Sequence, residues 1–387
     1  MNEESARRFL TSLYRAALRG VDPRERVGRA LDEPDVARAL RGARAVGVFA
    51  VGKAAEAMMR GARVGPARRL LILPHGFPCT IRRRVEVLFA SHPEPDRSSV
   101  QAARRALAFF GTFGSDDVIL CLVSGGSSSL LALPRKGLTL EKKRRAVDRL
   151  IARGASILEI NRLRTRLSAV KGGDLGRSTG ARLVTLVLSD VPGDRASVVG
   201  SGPTIRGRAG DLVRVVGSNR AGLSAAAAEA RRLGWVPRLA RDRLRGEARE
   251  AGANLVRRAG RLEPGETLLC GGETIVALPR RHGRGGRNLE VALGAALEID
   301  AASGLVVLAA GSDGRDGGSD AAGAFADRTT LVRARRLGLD AARALRRHDT
   351  DDFFLRLGDR LVTGPTGTNV ADWAFAARPR RARRPPV

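Results

Sequence analysis

Six residues, Val118-Ile119-Leu120-Cys121-Leu122-Val123, form an unbroken apolar run that gives way abruptly to Ser124-Gly125-Gly126-Ser127-Ser128. A run this short, rich in branched side chains and without polar alternation, reads as a strand buried on both faces. Strands buried on both faces belong to parallel sheets with helices above and below, so the feature points to an α/β fold. The small residues at its carboxyl end offer bare N–H groups and hydroxyls, a concavity suited to phosphate or carboxylate. Alone, such a loop reads equally well as a tight strand-to-helix connection. The layout recurs at 51–53, 189–194, 311–316 and 363–369. Five such loops, spread over both halves of the chain, point to two domains presenting them to a shared cleft.

The length of 387 residues allows two domains, each with a core of its own. A basic, glycine-containing stretch at 205–212 marks the expected boundary, giving domains 1–212 and 213–377 and an Arg/Pro tail, 378–387, whose composition predicts disorder. No apolar run approaches the roughly 18 residues needed to span a bilayer. The acidic start, Met-Asn-Glu-Glu-Ser, lacks a signal peptide's layout, and Cys79, Cys121 and Cys270 are scattered, which predicts a cytoplasmic protein with reduced thiols. The four histidines have no metal-ligand spacing.

The formal net charge of +29 invites a nucleic-acid reading, but its distribution argues against a specific one. The arginines cover nearly every predicted helix surface, and aromatics are only 4%, too few for a base-stacking platform. Of the 69 basic residues only Lys53, Lys136, Lys142, Lys143 and Lys171 are lysine. In an arginine-dominated chain, a retained lysine marks a place where a compact ammonium is needed. Lys136, Lys142 and Lys143 are assigned to a polar helix, whereas Lys53 and Lys171 abut glycines at element ends and are the functional candidates.

Several loops carry further candidates. Gly47-x4-Gly52-Lys53 imitates a P-loop, but its middle is strand and Ala54 lacks the hydroxyl that would hold Mg²⁺. Lys53 at a strand's carboxyl end remains credible. His92, in a proline-fixed loop, suits substrate contact or a turn. A helix expected over 157–171 carries Asn161, Arg164 and Lys171 and stops at Gly172-Gly173; Asn161 and Arg164 read equally as a polar face. Asp190 follows the strand 182–188 as base, metal ligand or helix cap. Glu273 sits at the Gly271-Gly272 break in the apolar stretch 268–278. Arg287 opens a helix over 288–299, and Asp313 follows the strand 305–310. Strand 213–216 is expected to open the second domain. No Gly-x-Gly-x-x-Gly occurs, which disfavours a dinucleotide site.

Taken in order, Ala50-Val51-Gly52-Lys53-Ala54, Ser91-His92-Pro93, Ser124-Gly125-Gly126, Glu159-Ile160-Asn161, Lys171-Gly172-Gly173, Leu188-Ser189-Asp190-Val191, Gly271-Gly272-Glu273-Thr274, Gly285-Gly286-Arg287-Asn288 and Thr363-Gly364-Pro365-Thr366-Gly367-Thr368-Asn369 resemble the class II glycerate kinase (glycerate 2-kinase) family. The resemblance runs from about residue 40 to 375. It implies a Rossmann-like first domain with a parallel sheet, a smaller mixed-sheet second domain and an active site in the interdomain cleft. It also implies transfer of a phosphoryl group from ATP, with Mg²⁺, to the 2-hydroxyl of D-glycerate or a related short hydroxy acid. Lys53 and Arg287 match the family's catalytic lysine and arginine, and Asp190 joins them in the catalytic set, the choice between Asp190 and Asp313 as proton acceptor or metal ligand staying open. The expected phosphate-binding residues are Ser124, Gly125, Gly126, Ser127, Ser128, Lys171, Gly364, Pro365, Thr366 and Asn369. His92, Asn161, Arg164 and Glu273 are expected at the acceptor, and Asp190 and Asp313 at the metal. Ser127 stands where the family usually has a third glycine, and the stretch between Thr204 and Val215 is short. A hydroxypyruvate reductase-type oxidoreductase and a catalytically degenerate polyanion-binding relative are the alternatives.

Overall fold

The strands predicted from apolar runs form two sheets. A computed structural model describes residues 3–81, 83–155, 157–300 and 302–380. The first sheet comprises β1 (Val46–Val51), β2 (Arg68–Pro74), β3 (Glu86–Ala90), β4 (Val118–Val123), β5 (Arg182–Ser189) and β6 (Leu212–Ser218). All its neighbours pair in parallel, in the order β3-β2-β1-β4-β5-β6. This is the Rossmann order, whose direction of winding reverses between β1 and β4. Every residue of β4 is buried, as its continuous apolar run requires.

Helices cover the sheet because their apolar faces need it. Arg97–Phe110 starts where the Asp96 carboxylate accepts the N–H groups of Ser98 and Ser99 and the Ser99 hydroxyl accepts from Asp96, a reciprocal cap that sets its first turn. Its far end delivers Phe109 and Phe110 to Phe49 and Phe113; the Phe49 and Phe110 ring centroids lie 5.2 Å apart, edge to face. Gly47 is explained here. A Cβ at Gly47 would lie 2.5 Å from the Phe113 ring, so the first glycine of the P-loop imitation serves packing.

The second sheet comprises β7 (Val236–Leu239), β8 (Glu266–Gly272), β9 (Val306–Gly311), β10 (Gly323–Asp327), β11 (Arg360–Leu361) and β12 (Asp372–Arg378), in the order β11-β10-β9-β12-β8-β7. Only β7 and β8 pair in parallel; the remaining pairs are antiparallel, so the sheet is mixed. The helices Ala248–Ala259 and Arg287–Glu298 share its core, the second buried along almost its whole length. Strands β10 and β12, alanine-rich and flanked by loop residues, were not foreseen from the sequence.

By contacts, the chain divides into a parallel-sheet unit, Asp22–Ser218 with Gly367–Asn369, and a mixed-sheet unit containing the chain up to Val21, Asn219–Thr366 and the chain from Val370. Two details differ from the expected boundary at 212/213. Leu212–Ser218 completes the parallel sheet as its edge strand, because its backbone pairs with β5. The opening helix, Glu3–Gly20, belongs with the mixed sheet. Phe9 stacks on Trp235 at 4.1 Å, Gly20 packs where a Cβ would lie 2.4 Å from Ala225 Cβ, and the Tyr14 hydroxyl donates to the Gly311 carbonyl at 2.7 Å.

The helix expected over 157–171 ends at Arg166. Beyond it the backbone pairs with 133–135 instead, Arg135 N–H donating to Leu167 and Ala169 N–H to Leu133, so Lys171 lies on a turn. Residues 381–387 of the basic tail lie outside the described residues, and β12 ends at Arg378. Among the described residues no helix is long and apolar enough to cross a membrane.

Candidate active site

The carboxyl ends of β1 and β4 meet at the point where the sheet order reverses. Gly52 leaves β1 with φ +121, and a Cβ there would strike Ser124 Oγ at 2.3 Å. That glycine lets the loop after β1 lie directly on the loop after β4. Lys53 N–H then donates to the Gly125 carbonyl at 2.9 Å, and Ala54 N–H to Ser124 Oγ at 3.1 Å. Two consecutive glycines, 125 and 126, carry no side chains to cover their N–H groups, which suits close approach of an oxyanion.

What surrounds these glycines was not visible from local sequence. Around Gly125, a Cβ would fall 1.9 Å from Asp190 Oδ2 and 3.2 Å from Asn369 Nδ2. Around Gly126, it would fall 3.1 Å from His92 and 3.4 Å from Lys53 Cγ. Thus Lys53, His92, Asp190 and Asn369 converge on one backbone turn. Burial, then the charge of Lys53, lowers the pKa of His92, so its imidazole is neutral at physiological pH. Ser127, at the position of the expected third glycine, turns its hydroxyl inward. Its Oγ is buried, without a hydrogen-bond partner among the described residues, and packs on Gly200, where a Cβ would meet it at 1.8 Å.

One turn further on, Ser128 Oγ accepts from the Lys171 ammonium and lies 3.1 Å from Ser201 Oγ. Lys171 is buried, and desolvation followed by repulsion from Lys143 and Arg164 lowers its pKa to about 7. Arg164 therefore faces the same neighbourhood. Asn161 sits half-buried on the preceding turn of the Ile157–Arg166 helix.

In the mixed-sheet unit, Arg287 opens the helix Arg287–Glu298. Asp316 caps that helix, accepting N–H groups from Asn288 at 3.0 Å and Leu289 at 2.7 Å; burial nonetheless raises its pKa to about 6. The Arg287 guanidinium pairs with Glu273 and lies 3.3 Å from the buried Asp372, a proximity without hydrogen-bond alignment. Burial raises the pKa of Asp372 to about 7 against the pull of Arg287. Asp313 and Asp372 both flank Gly311, each with Oδ1 3.3 Å from where a Cβ would be. Gly364 and Thr366 fold onto this loop: the Gly364 carbonyl would lie 2.1 Å from a Cβ on Gly314, and Thr366 N–H donates to the Asp313 carbonyl at 3.2 Å. Pro365 lies between them in the same unit, whereas Asn369 groups with the parallel-sheet loops.

The expected residues therefore form two clusters, one in each unit. Asp372 and Asp316 were missed as members of the second. Asp372 offered only an aspartate beside a short apolar run, which is too common to single out, and Asp316 stood in the glycine-rich loop 311–318 with nothing local to set it apart from Asp313. Among the described residues no three histidine, cysteine or carboxylate side chains are grouped to hold a metal ion. A Mg²⁺ carried by nucleotide phosphates needs only one or two protein carboxylates, and Asp190 against the glycine turn fits that lesser demand.

Comparisons with known proteins cover both halves of the chain. Residues 9–228 match the family model described as a domain of unknown function (DUF4147), and residues 266–372 match the MOFRL family. A putative hydroxypyruvate reductase of Agrobacterium vitis is 37% identical over 96% of this chain and 94% of its own length. The D-glycerate 2-kinase of Thermotoga maritima is 31% identical over 95% of this chain and 97% of its own. A crystal structure of glycerate kinase from Thermotoga maritima matches with a TM-score of 0.84 at 31% identity, covering 97% of this chain and 100% of that one. With both family parts matched in order and kinase relatives similar along nearly their full length, the chain belongs to the glycerate kinase family.

Proposed function

We propose that the protein transfers the γ-phosphoryl group of ATP to the 2-hydroxyl of D-glycerate, giving 2-phosphoglycerate and ADP. The observation that carries this reading is the convergence of Lys53, Asp190, His92 and Asn369 on Gly125-Gly126 where the Rossmann sheet reverses. In the reaction the 2-hydroxyl oxygen forms a bond to the γ-phosphorus, the bond to the β-phosphate bridging oxygen breaks, and the hydroxyl proton leaves to a carboxylate. Phosphoryl transfer is loose and charge-spread, so positioning and cationic groups supply most of the catalysis. Lys53 is assigned to the transferring group, the glycine turn to the phosphates, and Asp190 to the hydroxyl proton or to the cation. Arg287 takes the second cationic role by resemblance. Mg²⁺, arriving with the nucleotide, would neutralise phosphate charge when bound. A cytoplasmic location is part of the same proposal.

The reductase name of the Agrobacterium relative supplies the competing reading. One experiment separates them. Purified full-length protein is given D-glycerate, ATP and Mg²⁺, with phosphorus NMR of the product, and in parallel hydroxypyruvate with NADH or NADPH. The expected result is a new ester at the 2-position and no nucleotide oxidation. Lys53→Ala is expected to lower kcat/KM about 100-fold or more, the scale of losing one preorganised electrostatic contact. Full activity in that variant removes Lys53 from the mechanism.

A further inference from the structure

Beside the glycine turn lies a cavity of about 470 Å³ whose lining includes Ser128, Lys143, Asp148, Arg164 and Lys171. Lys143 is the unusual member. It projects from the helix Leu140–Ala152, is only 7% exposed, and its Nζ has no hydrogen-bond partner among the described residues. A buried ammonium without a partner is costly unless an opposite charge meets it, and a bound anion would supply that charge. Lys171 and Arg164 crowd the same space. Arg144, at the rim, is already paired with Glu94 at 2.6 Å. The lining thus sets Lys143, Arg144, Arg164 and Lys171 against two carboxylates, Asp148 and the Glu94 already paired with Arg144, which leaves a surplus of positive charge with hydroxyls nearby.

Resting on the kinase reading, we propose that this cavity receives the carboxylate of the short hydroxy-acid acceptor, with Lys143 as its principal ligand and Lys171 and Arg164 beside it. Two neighbours tie the cavity to the reaction. Ser128, hydrogen-bonded to Lys171, is two residues beyond Gly126, and Pro93 of the lining follows His92, which touches Gly126. In a 2-hydroxy acid a single carbon separates carboxylate from reacting hydroxyl, so a carboxylate site has to adjoin the phosphoryl site. The glycine turn with Lys53 meets the demands of a phosphate. The cavity offers ammoniums and a guanidinium fork, a set that pairs with a carboxylate as well as with a phosphate, and the phosphate is already provided for by the turn.

Lys143→Met keeps the side chain's length and removes the buried charge, so the variant is expected to fold at least as stably as the parent. The holoprotein and the variant are compared by steady-state kinetics and by calorimetric titration with D-glycerate and with glycerol, its neutral counterpart without the carboxylate. The expected result is a loss of about tenfold or more in D-glycerate affinity and a matching rise in its KM, with the KM for ATP unchanged. Discrimination against glycerol should narrow by the same factor. An unchanged KM for glycerate overturns the proposal, as does a rise confined to the KM for ATP, which would assign the cavity to the nucleotide. If the parent protein phosphorylates no hydroxy acid, the kinase reading fails separately. The titrations then decide alone: carboxylate-dependent binding of D-glycerate lost in Lys143→Met supports the cavity's role, and absence of such binding in the parent sinks it.

Discussion

At the scale of single residues, the candidate site depends on atoms that are missing. Gly125 is required because any side chain would occupy the place of the Asp190 carboxylate, 1.9 Å from its Cβ position. Gly125→Ala is therefore expected to displace Asp190 and lower kcat/KM about 100-fold, as misplacements near 1 Å do, while the melting temperature stays close to that of the parent. Equal activity would show that Asp190 has no precise task. Lys171 makes a different demand. Burial and the neighbouring cations lower its pKa from 10.5 to about 7, so between these values the unfolded chain binds a proton that the native state lacks. Stability then rises with pH across that window, and the deficit is full below it. Lys171→Met should raise the melting temperature at and below about pH 7, with the gain shrinking to nothing as pH passes about 10.5. Thermal denaturation of both proteins across this range is the check. A gain independent of pH would mean that packing, not charge, was responsible. Lysine's scarcity pointed to Lys53 and Lys171 from the sequence, but the same signal at Lys143 was outweighed by its place on a polar helix. A helix's polar face and a cavity wall look alike until the facing element is known.

At the scale of elements, the opening helix shows how far local pattern reaches. Its apolar spacing predicted a helix, and Glu3–Gly20 forms one. What it packs on was not legible, since an amphipathic stripe specifies burial without specifying a partner. Its attachment is ionic as well as apolar. Arg7 pairs with Asp327 at 2.6 Å and with Asp359, both carboxylates being 1% exposed. Arg7→Ala strands Asp327, although Thr329 still donates to it through both N–H and hydroxyl, and leaves Asp359 with Arg333 alone. The expected cost is about 3 kcal/mol, the lower end for breaking a buried ion pair, measured by denaturant unfolding. A change near zero would show that apolar contacts such as Phe9 on Trp235 hold the helix unaided. The helix 157–171 fell short at Arg166 for a related reason: hydrogen bonds to 133–135, distant in sequence, replaced the helical ones.

At the scale of the whole molecule, charge is the dominant global property. A net +29 spread over the surface attracts any polyanion through counterion release, without sequence preference. Binding to unrelated RNA or heparin is expected at low salt and should weaken about 1,000-fold or more between 50 and 200 mM salt. Binding that resists salt or selects a sequence would reveal a dedicated nucleic-acid surface. The family relationship was also legible at this scale, because its motifs occur in order along most of the chain.

The amino-acid sequence by itself determined the alternation of buried strands and helices, the small-residue loops at strand ends and the identity of the charged groups placed there. Those follow from short-range periodicity and from the conformational freedom of glycine, both of which are local. Only the tertiary structure decided that Asp190 and Asn369 press on Gly125, that Lys143 and Lys171 share one cavity, that Asp316 caps the Arg287 helix, and that the first helix joins the mixed sheet. The physical reason is that burial, and with it the protonation state of a charged group, depends on neighbours far apart along the chain.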